Sequence, residues 1–317
     1  MTSTDTRDDA PRSADAAAAP ESGSDLLYAF RRSPVAIVAA AVAVTLVLAA
    51  VVGPFLSPHD PFNPATLNLM DGFTPPLSTS AVGNRFFLGS DSQGRDVLTT
   101  LLTGSRLSLF VALTATLFSM TVGIALGLIA GYLGGWPDAV IMRVADVQLT
   151  FPAILIALLI FGVAQAIIPP GRQESAAVWV LVLAIGISNW AQFARTVRGA
   201  AMVERQKDYV AAARIIGVSP PLILLRHILP NVLGPALVVG TIGLAVAVIE
   251  EATLSYLGVG VPPTQPSLGT LIRIGQQYLF SGEWWIFFFP ALTLVLLALS
   301  VNLLGDWLRD ALNPRLR

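Results

Sequence analysis

Residues 33–58 contain no charged residue and consist mainly of Ala, Val, Leu and Ile. A helix of about 20 apolar residues crosses the hydrocarbon core of a bilayer, which is about 30 Å thick. The run is longer than the apolar part of a secretory signal, which has about 7 to 15 residues. Backbone groups in lipid must be hydrogen-bonded within the chain, so such a run has to be helical. We therefore predict a first transmembrane helix over residues 33–57.

Five further uncharged apolar runs follow along the chain. They cover residues 107–137, 147–171, 175–194, 227–249 and 284–305. Only 12% of all residues are charged, which is about half the share usual in soluble domains. The sequence therefore predicts an all-α integral membrane protein with six transmembrane helices.

Lys and Arg are distributed unevenly between the two sets of segments that connect these helices. Cytoplasmic segments retain positive charge, and the set that includes the N-terminus has more of it. That set contains Arg31, Arg32, Arg143, the basic residues between 195 and 226, Arg309, Arg315 and Arg317, and the other contains Arg85, Arg95, Arg106, Arg172 and Arg273. Both termini are therefore predicted to be cytoplasmic.

The remaining segments divide the chain further. Residues 1–32 are polar and lack apolar periodicity, so we expect a disordered cytoplasmic tail. Residues 58–106 are expected to form an extracytoplasmic loop, in which the run after "GSDSQGRD" predicts a short amphipathic helix on the outer surface. Residues 107–317 then form the transmembrane core, with a cytoplasmic loop at residues 195–231 between spans 4 and 5.

The cytoplasmic loop is predicted to contain two helices with a sharp turn between them. Residues 197–216 are largely helix formers, and Gly217 gives the backbone a place to turn. Ser219 is a predicted N-cap, with Pro220 at the first position of the second helix. Apolar residues then recur on one face of that helix, which we expect to be short and parallel to the membrane.

The letters "AAARIIG", followed ten residues after their glycine by "HILPN", resemble the EAA loop of the transmembrane subunits of ATP-binding cassette importers. In that family the loop contains a coupling helix that docks into a groove of an ATPase subunit. The resemblance and the turn pattern together give the predicted ATPase-coupling loop: Ala212, Ala213, Gly217, Ser219, Pro220, Leu222, Leu225, Arg226, His227, Pro230 and Asn231. Ala211 stands where many members have the glutamate of the motif, so we expect docking through shape and apolar packing.

Two other stretches resemble one group within that family. "LGSDSQGRDVLTTLLTGSRLSL" at residues 88–109 and "EEATLSYLGVGVPPTQPSLGTLI" at residues 250–272 are similar to permeases for dipeptides, oligopeptides and nickel. The resemblance implies ATP-driven import of peptides or a similar small solute across the bacterial inner membrane. It also implies a second homologous permease, two cytoplasmic ATPase subunits that bind ATP and Mg, an extracytoplasmic substrate-binding protein and surrounding membrane lipid. This chain is then expected to bind no cofactor.

A secondary transporter driven by an ion gradient is the alternative, and it predicts charged residues at mid-membrane. Asp146, Glu250 and Glu251 instead fall near the ends of predicted spans, where we expect water to reach them. By the resemblance, Glu251 helps to pack an outer gate. Arg95 and Asp96 either contribute to that gate or form a solvated local pair.

Gly123, Gly127 and Gly131 repeat at four-residue spacing in the second predicted span. Small residues at this spacing let two helices approach closely in lipid. Two alternatives stay open, namely packing within this chain and contact with a partner permease.

Catalytic and metal-binding signatures are missing from the sequence. The single lysine, Lys207, does not stand in a phosphate-binding GxxxxGK[ST] motif, and no cysteine is present. His59 and His227 lie on opposite sides of the predicted topology, which rules out a two-histidine metal site. The balanced charge indicates no nucleic-acid surface. We therefore predict a non-catalytic transport subunit.

Overall fold

The computed structural model describes residues 23–56, 61, 67–262 and 264–311. Almost all of its secondary structure is helical, as predicted. The helices are α1 (Gly23–Arg32), α2 (Pro34–Leu56), α3 (Val97–Leu133), α4 (Gly135–Thr150), α5 (Ala153–Ile167), α6 (Pro170–Glu204), α7 (Asp208–Ile215), α8 (Pro220–Ile223), α9 (Leu229–Tyr256), α10 (Leu268–Gln276) and α11 (Trp285–Ala311). A π-helical segment at Leu224–Ile228 joins α8 to α9. Two short antiparallel strands are β1 (Ser78–Thr79) and β2 (Arg85–Phe86).

The long helices pack into a bundle with two distinct ends. At one end the Arg205 guanidinium donates to the carbonyls of Gly131 and Tyr132 at 3.2 and 3.0 Å, which ties the end of α6 to the end of α3. This end is termed the loop end because it carries residues 205–219. The opposite end, with residues 257–284, is termed the far end.

Five helices in the described part of the chain are long and apolar enough to cross a membrane, namely α2, α3, α6, the continuous helix Pro220–Tyr256 and α11. The predicted span at 147–171 is not one continuous helix, because α4 and α5 meet at 96°. Phe151 at the break is extended, with φ −96° and ψ 143°, as is usual before proline. Pro152 also lacks the N–H that a continuous helix needs. The six-span count holds only if α4 and α5 are counted as one span.

Part of the predicted disordered tail is helical. Residues 1–22 lie outside the described part of the chain, but α1 occupies the last ten residues of the 1–32 segment. The ring of Phe30 packs edge-on against Trp307, with 5.1 Å between ring centroids. The polar composition of the tail as a whole predicted disorder, because its aromatic residues lie only at its end. His59, Arg315 and Arg317, used in the sequence arguments, also lie outside the described residues.

The predicted short amphipathic helix on the outer surface is not a separate element. Asp96 caps α3 instead, and its side chain accepts hydrogen bonds from the N–H groups of Leu98 and Thr99 at 3.3 and 3.1 Å. From there α3 continues without a break for 37 residues. That is about 55 Å, well beyond the hydrocarbon core. The prediction was wrong because Arg106 ends the uncharged run but does not end the helix.

The glycines of α3 pack against α6 of the same chain. A Cβ atom on Gly123 would lie 2.3 Å from Cβ of Phe193, and one on Gly127 would lie 2.6 Å from the Ala194 carbonyl oxygen. A Cβ on Gly131 would lie 2.8 Å from the Arg198 carbonyl oxygen and from Cβ of Ala201. Small residues are therefore required at all three positions. The sequence left open whether these glycines pack within this chain or against a partner permease, and these contacts lie within this chain.

Candidate functional site

The turn predicted at Gly217 is present at the loop end. Gly217 has φ +83°, the left-handed conformation that ends many helices. The N–H of Val218 bonds the Ala213 carbonyl at 3.0 Å, and the N–H of Gly217 bonds the Arg214 carbonyl at 3.1 Å. This pair of bonds is a Schellman motif, which satisfies the last carbonyls of α7. The chain is thereby turned into α8 within three residues.

The helix after the turn begins as predicted but does not end as predicted. Ser219 occupies the N-cap position, although its side chain makes no capping hydrogen bond, and Pro220 follows at the first helical position. The helix then continues through the π-helical segment into α9 and ends at Tyr256. Pro230 was expected near the end of a short helix. Pro230 has no N–H to donate to the Arg226 carbonyl, as a regular α-helix would require. The wider π-helical turn before it accommodates the proline, so the helix continues.

An apolar surface surrounds the turn. The side chains of Ile215, Ile216 and Leu225 are 86%, 78% and 62% exposed, and Leu222 is 45% exposed. Four residues of the same segment face inward and are buried against the ends of α3 and α6: Val210, Ala213, Ile223 and Ile228. The inward residues fix the turn on the bundle, while the outward ones are left without a partner in the described chain. The outward group, Ile215, Ile216, Leu222 and Leu225, is termed the coupling surface.

A group of polar side chains joins the end of α6 to the start of α9 beneath this surface. Tyr209 donates from its hydroxyl to Glu204 and accepts from the Asn231 amide at 3.1 Å. The Asn231 amide also donates to the His227 carbonyl at 2.7 Å, and Lys207 lies 2.7 Å from Glu204. This group is termed the polar clasp. His227 and Asn231 were predicted site residues, whereas Tyr209 and Glu204 were not.

The hydroxyl of Tyr209 stays protonated at physiological pH. Burial and the neighbouring Glu204 carboxylate raise the pKa of Tyr209 to about 12. Because the neutral hydroxyl is the form that donates, the bond to Glu204 persists throughout the pH range in which cells grow.

Ion pairs connect α4 to α6 near the loop end. Arg198 forms a two-point contact with Asp138, in which Nη2 lies 2.7 Å from Oδ2. Arg195 lies 2.5 Å from Asp146, whose side chain is 56% exposed. Asp146 is thus exposed on the surface of this chain and is paired with a cation of a neighbouring helix.

The two adjacent glutamates of α9 are buried, contrary to prediction. Glu251 is 0% exposed and accepts hydrogen bonds from the hydroxyls of Ser108 and Ser255 at 2.6 and 2.7 Å. Glu250 is 8% exposed and accepts from the Asn189 amide at 2.7 Å. Water was expected here because both residues lie near a span end.

Helix α10 provides the cover over this region. A Cβ atom on Gly269 would lie 2.2 Å from the Ala252 carbonyl oxygen, so the two backbones are in contact. The Leu268 N–H at the start of α10 donates to the Ser108 hydroxyl at 3.1 Å, the same hydroxyl that donates to Glu251. Glu251 therefore joins α3, α9 and α10 at the far end.

Arg95 and Asp96 do not assemble with Glu251. Asp96 caps α3, and Arg95 Nε faces Asp91 at 3.8 Å rather than Asp96. Ser108, the contact of Glu251, lies twelve residues after Asp96 on α3, which is about 18 Å along the helix. Neither the solvated local pair nor a three-residue gate is formed.

The described residues contain no group of three or more His, Asp or Glu side chains that is suited to hold a metal ion. The long apolar helices and the exposed apolar turn define a helical membrane protein whose loop end is suited to bind another protein. Residues 123–317 match the family described as binding-protein-dependent transport system inner membrane component, and residues 23–76 match the N-terminal transmembrane domain of oligopeptide transport permease C. The chain belongs to the binding-protein-dependent transport system inner membrane component family.

Named relatives are similar over most of the chain. The di/tripeptide transport system permease protein DppC of Pseudomonas aeruginosa is 36% identical over 272 residues, which is 86% of this chain and 85% of that protein. A putative peptide transport system permease protein of Brucella suis is 39% identical over the same shares. The oligopeptide transport system permease protein OppC of Bacillus subtilis is 32% identical over 293 residues, covering 92% of this chain and 90% of that protein.

A solved structure shares the fold. A chain of the MetNI methionine ABC transporter in an inward-facing conformation superposes with a TM-score of 0.53 at 19% identity, covering 68% of this chain and 96% of that one. The resemblance to importer permeases is confirmed by these comparisons. The chain is a non-catalytic, multi-pass permease subunit of the bacterial inner membrane.

Proposed function

We propose that this chain forms, with a second homologous permease, the translocation path of an ATP-driven peptide importer. Two cytoplasmic ATPase subunits bind ATP and Mg, and an extracytoplasmic binding protein delivers the substrate. In this arrangement the loop end faces the cytosol and the far end faces the binding protein. Peptides are the proposed substrate because the relatives named above are peptide permeases.

The coupling surface carries the proposal. Its four large apolar side chains lie at the loop end, at the end of α7 and on the first turns of the helix that continues into α9, around a turn fixed by buried residues behind it. Apolar patches of this kind on an aqueous face are typical of sites that bind another protein. An ATPase groove of complementary shape is the proposed occupant, and Ala211, which is exposed beside the surface, leaves the contact without the carboxylate of the family motif.

One continuous helix offers a mechanical route from this surface to the far end. The helix that carries Leu222 and Leu225 also carries Glu251, about 40 Å further along at 1.5 Å per residue. A tilt imposed on its first turns by an ATPase moves the segment that Glu251 joins to α3 and α10. Alternating access then requires two packing arrangements at the far end, of which the Glu251 contacts stabilise one.

The test is co-purification of the tagged chain from its native membrane in mild detergent, with mass spectrometry of the bound proteins. Wild-type chain is expected to bring down P-loop ATPases and a second permease. Leu225→Glu should lose the ATPases, because a charge cannot enter an apolar groove without a partner. Leu77→Glu is the matched control, since Leu77 is 69% exposed and lies before α3, away from the loop end.

Retention of the ATPases by Leu225→Glu would contradict the proposed docking surface. Recovery of the chain alone, together with uptake into liposomes that contain no ATP, would favour the ion-gradient alternative.

A further inference from the structure

A polar cavity of about 390 Å³ opens at the far end, between the start of α6 and the segment that links α9 to α10. Small-molecule pockets in proteins have volumes of about 300 to 1,000 Å³. The lining residues with polar side chains are Gln165, Gln173, Glu174, Thr264 and Arg273. The cavity thus combines a cationic group, an anionic group and neutral hydrogen-bonding groups.

The guanidinium of Arg273 is held in place but remains unpaired. A Cβ atom on Gly258 would lie 2.5 Å from Nη1 of Arg273, so the guanidinium rests on the turn that ends α9. Gly258 has φ +81°, and the negative end of the helix dipole favours a cation at this place. Among the described residues the Arg273 side chain makes no ion pair and no hydrogen bond. Its fork of N–H donors is available to a ligand.

The carboxylate of Glu174 accepts a hydrogen bond but is not paired with a cation in the described part of the chain. The Thr264 hydroxyl donates to Oε1 of Glu174, and no cation in the described part of the chain pairs with this carboxylate. The amide of Gln173 donates to the carbonyls of Gln165 and Ile168 at 2.9 and 3.1 Å. These bonds fix the wall of the cavity on the side of Glu174.

We propose that this cavity binds the termini of a short peptide, with its carboxylate on Arg273 and its ammonium group on Glu174. The inference rests on the proposed peptide-importer function and adds a substrate site to this chain. A guanidinium fork matches a carboxylate in shape and charge, and an ammonium group is a natural partner for Glu174. A ligand with free termini satisfies both charges, which a neutral solute does not.

The cavity wall is also linked, through Ser255, to the buried glutamate at the far end. A Cβ atom on Gly260 would lie 2.4 Å from the Ser255 hydroxyl oxygen, and that hydroxyl donates to Glu251 at 2.7 Å. Gly260 packs directly on Ser255, with no room for a larger residue. A ligand that shifts Gly260 therefore also shifts the hydrogen bonds of Glu251.

The test uses the fact that the chain contains no cysteine. Gln165→Cys places a thiol in the cavity without removing a contact of Glu174 or Arg273, and Ser175→Cys places one on an exposed neighbouring position outside its lining. The intact complex with its ATPases, washed free of binding protein, is treated with a membrane-impermeant maleimide. The labelling rate of this chain is measured by mass spectrometry with trialanine, trialanine amide or N-acetyl-trialanine present.

Trialanine is expected to slow labelling at position 165 in a saturable manner and to leave position 175 unaffected. The amide and the acetylated peptide should protect about tenfold less well, since each lacks one charge-assisted hydrogen bond. Adding Arg273→Gln should abolish the preference for trialanine over its amide but keep the preference over the acetylated peptide. This selective loss separates direct recognition of the carboxylate from a general change in packing.

Equal protection by all three peptides, or protection by none, would overturn the inference. ATP-dependent peptide uptake by the same complex, with binding protein restored, separates the two claims. Uptake without protection refutes the site and leaves the importer function standing, whereas absence of both refutes both.

Discussion

Replacement of Gly217 tests whether a fixed turn couples the loop end to transport. The residue has φ +83°, and an L-residue in this region costs about 1 to 2 kcal/mol, with β-branched residues at the upper end. No atom lies within 4 Å of a Cβ added at this position, so Gly217→Val acts through backbone conformation alone. A cost of this size lowers the population of the turn about 5- to 30-fold relative to alternatives.

The assay is the ratio of peptide imported to ATP hydrolysed by the reconstituted complex. We expect Gly217→Val to insert and assemble normally but to lower this ratio several-fold. Gly217→Asn should keep most of the coupling, because Asn tolerates the left-handed region. Gly199→Val is the matched control, since Gly199 is in α6 and also has open space around its Cβ. Wild-type coupling in Gly217→Val, or equal loss in the Asn and Val variants, would refute the conformational argument.

Other predictions concern the polar clasp and the bundle. Tyr209→Phe should weaken the coupling and lower the thermal stability of the loop, because Glu204 loses its hydroxyl donor; hydrogen–deuterium exchange of α7 measures this. The Tyr209 bond should stabilise the fold fully below about pH 10, and this stabilisation should be lost as pH rises towards 12. Equal stability of the wild type and the Tyr209→Phe variant at pH 8 would contradict this prediction. Glu251→Ala should cost about 1 to 3 kcal/mol by leaving buried hydroxyls unpaired, and Glu251→Gln less; equal melting temperatures of the two variants would count against the buried contacts. Gly123→Ala should cost about 1 to 3 kcal/mol through overpacking, whereas Gly162→Ala, which has open space, should not.

The parts of the site that depend only on residues adjacent in sequence could be predicted from the sequence. The turn at Gly217 and the N-cap position of Ser219 followed from short-range backbone preferences. The break at Pro152 was also present in the sequence, because proline inside an apolar run interrupts a helix, but the absence of charge was given more weight. At Pro230, by contrast, the helix continues, because a π-helical segment accommodates the proline.

Contacts between distant residues could not be predicted from the sequence. Tyr209 and Asn231 are 22 residues apart, and Ser108 and Glu251 are 143 residues apart. Burial of Glu251 depends on α10 folding onto α9 through the contact at Gly269, which no periodicity within either helix reveals. The same holds for Arg273 and Glu174, whose shared cavity appears only when α6 and α10 are placed together.

Photo-crosslinking from the coupling surface tests the central claim most directly. Benzoylphenylalanine is introduced at Leu225 of the chain in its native membrane, with Phe87, which is 59% exposed and lies before α3, as the control position. We predict that irradiation joins the Leu225 variant to a P-loop ATPase, that the yield changes when ATP is trapped, and that Phe87 gives no such product. An ATPase that co-purifies but crosslinks from neither position, or from Phe87 alone, would contradict the account.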